Sequence, residues 1–479
     1  MAQHLVIYTV IHQPRRLKLP AQPIPKGAVP ADIERCLFDE RMNRRYLEKV
    51  AATCYHPATE MFLELADRGL KFSVGFSWSF LRQAQMWDEA LMEKLRRLAR
   101  HPNVEVINVE PYHSFLFYVD MDAFVRRMRE TAEMLRKLFD LRSPVAVTDT
   151  TEMFMANDIY FALAQAGFRG ALMDGRPWVL GWRQPSYLYH YTRRLYLLTR
   201  HYQLSDDVGY RFSNRSWALW PLYADTYARW IAEASGDVVT VGWDYETFGE
   251  HHWKETGIFD FMRALPRELE RQGVETLLPG EAIARLRDRS HHLPLPAFPT
   301  TWAGEGGVGF FLGNGAQQAV FQLMHHVYHK ALLTQDPAII DLAMWLLQSD
   351  NLHLIQWFGR SGSEAEVSAY FTPREWWRLG PHGIIHEIQQ VFRNFLVAMD
   401  AYLTHEVRYL PGEQPPPVNR RRRARPELPP IAPLVPGSEA AAGSTDGRRE
   451  AAAALQAPRS VAANSRETPA RARARARGA

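Results

Sequence analysis

Cysteine is almost missing from this chain: Cys36 and Cys54 are the only two in 479 residues, and they form no CxxC pair. That excludes a disulfide framework and a cysteine-built zinc site. No apolar run approaches the roughly 20 residues that cross a bilayer. Nor does GxGxxG open the first helix, so a dinucleotide-binding fold loses its main support. The amino terminus lacks the basic stretch of a secretory signal and passes directly into Leu5-Val6-Ile7-Tyr8-Thr9-Val10, which reads as a strand. A cytoplasmic protein without cofactor or metal is the expectation. Excess charge is also absent from most of the chain. Of 57 basic and 53 acidic side chains, 13 arginines and 6 acidic residues fall in 411–479, leaving 44 basic and 47 acidic residues before them. The basicity is all in the tail, so it does not argue for a nucleic-acid-binding domain.

What is present is a globular composition, 46% hydrophobic and 23% charged, with material for one large core and a smaller second unit. Strand-like runs at 5–10, 72–77, 104–109, 145–149, 170–173 and 238–243 alternate with amphipathic stretches such as 123–139 and 154–167. Alternating strands and helices predict a parallel sheet, and a barrel is favoured over a doubly wound fold. From about 312 to 405 the pattern is helical, including 317–334, 336–348 and 382–404. Beyond Pro411 the text is Pro-, Ala- and Arg-rich with no periodic apolar face, which predicts disorder. The expected division is a barrel over 1–300, a helical subdomain completing the cleft over 301–410, and a disordered basic tail over 411–479.

Five short stretches carry chemistry. His12-Gln13-Pro14 closes the first strand. Asn108 to Ser114 sets Glu110 and His113 beside Tyr112. Glu152 follows the fourth strand in a Thr/Met/Phe setting that strips water from it. Asp244 ends the strand 238–243 inside Trp-Asp-Tyr-Glu-Thr-Phe-Gly, an acidic and aromatic cluster. Gln348-Ser349-Asp350 opens a helix, with Ser349 or Asp350 as a plain cap or Asp350 as a sugar contact. Two carboxylates at the carboxyl ends of two strands of one parallel sheet are the minimum apparatus for cleaving a glycosidic bond.

Together and in this order, the five stretches resemble glycoside hydrolase family 57. Leu180-Gly181-Trp182-Arg183 and the run Tyr202 to Ser213, which includes Arg211, are similar to its α-amylase-type branch. The resemblance covers roughly residues 4–400. It implies an incomplete TIM-like (β/α)7 barrel followed by a helical region, and retaining hydrolysis of an α-1,4-glucan such as glycogen, starch or maltodextrin. Glucan transfer or branching at the same site is the alternative. It implies Glu152 as nucleophile, Asp244 as general acid/base, and His12, Glu110, His113 and Asp350 along the cleft. Trp78, Trp178, Trp182, Trp217 and Trp253 are candidates to stack on sugar faces, with Trp182, Trp253 and Arg211 counted among the substrate contacts. Two departures stand out: the Glu110–Ser114 motif is one residue short, and Trp302 to Asn314 is glycine-rich where the family carries charge.

Three other readings compete. His325 and His329 stand at i, i+4 on a predicted helix, a spacing that chelates zinc, but no third ligand falls at a matching interval. A polysaccharide deacetylase needs an Asp/His/His set that the sequence does not assemble. A non-catalytic glucan-binding relative would have less use for both carboxylates. The arginine clusters 420–423 and 471–477 read as solvated tail rather than as a nucleic-acid or membrane site.

Overall fold

The computed structural model describes residues 2–406, and the expected tail lies outside them. Seven parallel strands close a ring: β1 His4–Ile11, β2 Phe72–Phe76, β3 Val104–Ile107, β4 Val147–Thr148, β5 Gly170–Asp174, β6 Tyr196–Arg200 and β7 Val238–Asp244. Tyr8 pairs with Ser73, Phe72 with Val104, Val147 with Gly170, Gly170 with Tyr196, Arg200 with Thr240 and Val238 with His4. Between β3 and β4 the ring is closed by the single bridge Asn108–Thr148. This is the barrel that the strand pattern favours, in the (β/α)7 form that the family resemblance implies, one strand short of eight. Among the described residues no helix is long and apolar enough to cross a membrane.

The strands are apolar on both faces because each is covered on both sides. Along β1, Val6, Tyr8 and Val10 belong to the small cluster filling the barrel, while Leu5, Ile7 and Ile11 join the large outer core under the helices. Val238 on β7 and Leu172 on β5 set the same inward parity. Continued to the carboxyl ends, that two-residue period aims His12, Asp149, Asp174, Arg200 and Asp244 into the mouth. The polar lining of the barrel mouth is thus written into strand alternation.

Some elements had no clear signal. Leu188–His190 runs antiparallel to β6, and Glu275–Leu277 pairs with the amino-terminal half of β1. A π-helical turn, Ala51–Tyr55, interrupts the helical run between Glu40 and Asp67. The expected strands 104–109 and 145–149 are cut to 104–107 and 147–148, because Asn108 and Asp149 spend their groups on the β3–β4 seam and the mouth. The helices Gly315–Thr334, Pro337–Leu346 and Gly380–Glu406 stand close to the predicted bounds. The first opens on a capping box, Asn314 with Gln317.

Candidate active site

The turn after β4 bends sharply. Glu152 and Met153 both adopt left-handed backbone, φ 54° and 53°, a conformation that costs a non-glycine residue about 1 kcal/mol or more. The Thr301 hydroxyl and the Trp302 amide both donate to the Glu152 carbonyl and hold the bend. The indole Nε1 of Trp302 donates to Glu152 Oε2 at 2.6 Å. His113, itself at φ 53°, brings Nε2 to 4.0 Å from Glu152 Oε1. The Glu152 side chain is 20% exposed. Burial first, then the charge of Asp244, pushes its carboxyl up to about 8. Asp244 is raised too by burial, and the charges of His251, Arg200 and His12 ease that shift. Burial thus raises both carboxyls, and the charge of Asp244 adds to the rise at Glu152.

Further acids crowd the same floor. Asp149 accepts from the Tyr8 hydroxyl at 2.8 Å and is pushed by burial up to about 7. Glu246 accepts from the Tyr55 hydroxyl and is pushed by burial and by Asp244 up to about 8. The π-turn delivers Tyr55: it also sets the Cys54 thiol on the Tyr245 carbonyl and the Thr53 carbonyl against Gly249. Gly249 has φ 116°, and a Cβ there would lie 2.1 Å from that carbonyl, so only glycine closes the Asp244–Gly249 motif.

One tripeptide of the helical part reaches into the mouth. Gln348 accepts from the Arg15 amide and donates to the Arg15 carbonyl. Ser349 bonds its hydroxyl to His113 Nδ1 at 3.0 Å, and its amide donates to the His113 carbonyl. Asp350 meets His12 Nε2 at 2.9 Å, while His12 Nδ1 reaches the Ser77 hydroxyl at 2.8 Å. The imidazoles of His12 and His113 stack 3.9 Å apart. Burial opposes the Asp350 charge, but His12, His113 and His353 outweigh it and hold the carboxyl well below the usual range. Ser349 makes no helix-cap bond, so the plain-cap reading of this motif gives way to a positioning one.

The Asp/His/His set that the sequence did not assemble is therefore present. Ligand atoms of His12, His113 and Asp350 lie within 4.8 Å of one another and can hold a divalent ion. His325 and His329 do meet, with ring centroids 4.4 Å apart and planes tilted by 50°, but among the described residues they gain no third ligand. The surface groove of about 620 Å³ near them, lined by His326, His329, Lys330, Leu332, Leu333 and Leu396, contains no carboxyl.

Other sequence candidates fare unevenly. Glu110 is fully buried rather than lining the cleft; it accepts from the Ser114 amide and is pushed by burial up to about 7. Its place is under the His113 loop, because that loop folds back over it. Arg211 is paired with Asp207 at 2.6 Å. Trp78 belongs to the core and Trp217 packs on it beside Trp230, whereas Trp178, Trp182 and Trp253 are exposed. Missed in sequence are Trp302, Arg200, Glu246 and Tyr210. Arg200 bonds Asp174 and Asp206, donates to the Gly242 carbonyl and lies over the Trp302 ring. Tyr210 is two-thirds solvent-open, yet its hydroxyl lies in the fields of Asp244 and Glu152. Strand parity points to Arg200; a lone Trp in a glycine-rich loop gives no signal.

A parallel barrel with two buried carboxyls, Glu152 and Asp244, at its carboxyl-terminal mouth has the layout on which barrel enzymes place acid/base chemistry. The sequence model of Glycosyl hydrolase family 57 matches residues 6–295, and the chain belongs to that family. It is 36% identical over 295 residues to a Methanocaldococcus jannaschii protein bearing the provisional name alpha-amylase, covering 60% of this chain and 62% of that one. The chain thus spans under two thirds of that relative. The fold is similar to the 4-alpha-glucanotransferase of Thermococcus litoralis, with TM-score 0.55, 13% identity and coverage of 74% of this chain and 56% of that one. It is also similar to a GH57-type branching enzyme of Pyrococcus horikoshii, with TM-score 0.55, 14% identity and coverage of 87% and 100%.

The raised carboxyls carry a stability cost with a definite sign. Glu152 binds its proton more tightly in the folded state (about 8) than at the ordinary value of 4.5. Its contribution is therefore fully favourable below pH 4.5 and is lost as pH rises toward 8. At about 1.4 kcal/mol per unit, this is on the order of a few kcal/mol. Glu152→Gln is expected to raise the melting midpoint by a few degrees at pH 8 and hardly at pH 4.5, as calorimetry at the two pH values will show.

Proposed function

We propose that the protein is a retaining glycoside hydrolase of α-1,4-glucans, with Glu152 as nucleophile and Asp244 as general acid/base. The observation that carries this reading is the two buried carboxyls after β4 and at the end of β7, both raised by burial, with Glu152 raised further by the charge of Asp244. In the first step an oxygen of Glu152 attacks the anomeric carbon while the bond to the leaving oxygen breaks, and Asp244 gives that oxygen its proton. In the second, an acceptor hydroxyl gives its proton to Asp244 and displaces Glu152 from the glycosyl ester. Charge must lie on Glu152 and the proton on Asp244 for this to run. The Trp302 N–H favours that arrangement, since a donor stabilises the ionised carboxylate. His12, His113 and Asp350 offer polar edges to sugar hydroxyls. In this reading the barrel, 1–300, supplies both catalytic carboxyls, and 301–410 completes the cleft.

Water as acceptor makes an amylase; a sugar 4-hydroxyl makes a 4-α-glucanotransferase and a 6-hydroxyl a branching enzyme. The named relatives include all three kinds of activity. Purified protein incubated with maltoheptaose and with glycogen, beside Glu152→Gln, separates these. Only shorter sugars, lost in the variant, identify hydrolysis; longer sugars as well identify transfer. A folded wild type that binds glucan without turnover leaves a binding protein and sinks the enzyme reading.

Trp302→Phe keeps the ring and removes the donor. Glu152 then titrates higher, so the acid limb of kcat/KM is expected to move up by about one pH unit and kcat to fall about tenfold. A pH–rate profile that superimposes on wild type would refute the role.

A further inference from the structure

Among the exposed aromatics, Trp178 and Phe298 lie ring on ring. Their centroids are 5.6 Å apart with planes 21° from parallel, yet they remain 44% and 63% exposed. Both are stiffly mounted. Trp178 follows Pro177 at the start of the turn Pro177–Leu180. Phe298 stands between Pro296 and Pro299, with Pro294 upstream, and proline fixes φ and limits loop freedom. The loop is tied down as well: the Asn157 amide donates to Pro296, and Met155 and Thr300 exchange backbone bonds on the far side of Phe298. A rigid ring presented to water loses little entropy when a flat apolar face settles on it.

The pair is continuous with the carboxyl site on both sides. Phe298 is three residues before Thr301 and four before Trp302, the two residues that grip Glu152. A chain rising at most ~3.5 Å per residue keeps the Phe298 Cα within about 14 Å of the Trp302 Cα. Arg176, two residues before Trp178, donates to the Trp302 carbonyl at 2.6 Å and to the Gly304 carbonyl at 3.1 Å. Neither 177–182 nor 293–304 contains a charged residue. Of the flanking charges, Arg176 is held by Asp174 and Arg183 lies over the Trp182 ring, so what Trp178 and Phe298 themselves offer is an aromatic surface suited to a neutral ring with an apolar C–H face.

We propose that Trp178 and Phe298 form a stacking subsite for an α-glucan chain, on the rim beyond the sugar units flanking the cleaved bond. The inference rests on the glucan reading above. The subsite selects long chains over short ones and leaves the bond-breaking step untouched.

The test uses the full chain carrying Trp178→Ala, Phe298→Ala or both; the two side chains are exposed, and melting curves check that the variants fold. Kinetics are compared on maltotriose and on amylose. Glycogen binding is read by retardation in glycogen-containing gels in a Glu152→Gln background. The expected result is a KM for amylose raised about tenfold with kcat within about twofold, unchanged kinetics on maltotriose, and lost retardation. An active wild type whose variants keep the amylose KM, or lose both substrates equally, overturns the subsite alone. Unchanged KM with an altered sedimentation coefficient overturns it in favour of a second copy seated on the rings. A wild type that neither cleaves nor binds any glucan overturns the glucan reading, and this proposal with it.

Discussion

Glu152→Gln is expected to lower kcat on an α-glucan by about 10⁴-fold or more, with KM changed little. The amide is nearly isosteric, still accepts from the Trp302 indole and keeps the bent turn held by Thr301 and Trp302, so binding survives while nucleophilicity is lost. The folded variant is also the more stable one at pH 8, which separates lost chemistry from lost structure. Glu152→Ala opens a cavity that azide can enter. Attack on the anomeric carbon from the face that Glu152 occupied should yield β-glucosyl azide from an α-linked activated substrate, readable by NMR. α-Glucosyl azide, or retained activity in Glu152→Gln, would remove Glu152 from the nucleophile's role.

The second large effect belongs to Asp244. Asp244→Asn removes the proton donor, and loss of ~10²–10⁴-fold in turnover of a natural glucan is expected. A substrate whose leaving group needs no proton, such as α-glucosyl fluoride, should still load Glu152, so the glycosyl ester accumulates and the protein gains one glucosyl residue by mass. Azide then attacks that ester and gives the α product, the opposite outcome from the Glu152 variant. Equal losses on both substrates and no adduct would mean that Asp244 shapes the site without handling the proton. The wild-type rate should also fall on the alkaline side, where Asp244, raised by burial, gives up the proton it must donate.

How much of this was legible in advance depends on range. Strand runs and their two-residue alternation are local, and they placed six strands of the ring and carried Asp244 to the mouth. β6 was not visible, because Tyr196–Arg200 is five residues inside a Tyr- and Arg-rich hairpin whose partner Leu188–His190 runs antiparallel. Glu110 looked like a cleft carboxylate in sequence; only the folded loop shows that it lies beneath His113, bonded to the Ser114 amide. Trp302 drew attention only as part of an unusual glycine-rich stretch, and its indole bond to Glu152 spans 150 residues.

Composition and periodicity by themselves determined the class of fold and pointed to the two strand ends after which Glu152 and Asp244 stand. These follow from propensity and burial, which act over a few residues. The tertiary structure alone decided which polar groups meet: Gln348 with Arg15, Ser349 with His113, Asp350 with His12, and Tyr55 with Glu246 across a π-turn. It also decided the proton affinities, because burial and neighbouring charge, not residue type, raise Glu152 and lower Asp350. Both depend on distances between residues far apart in the chain, and those distances exist only once the barrel has closed.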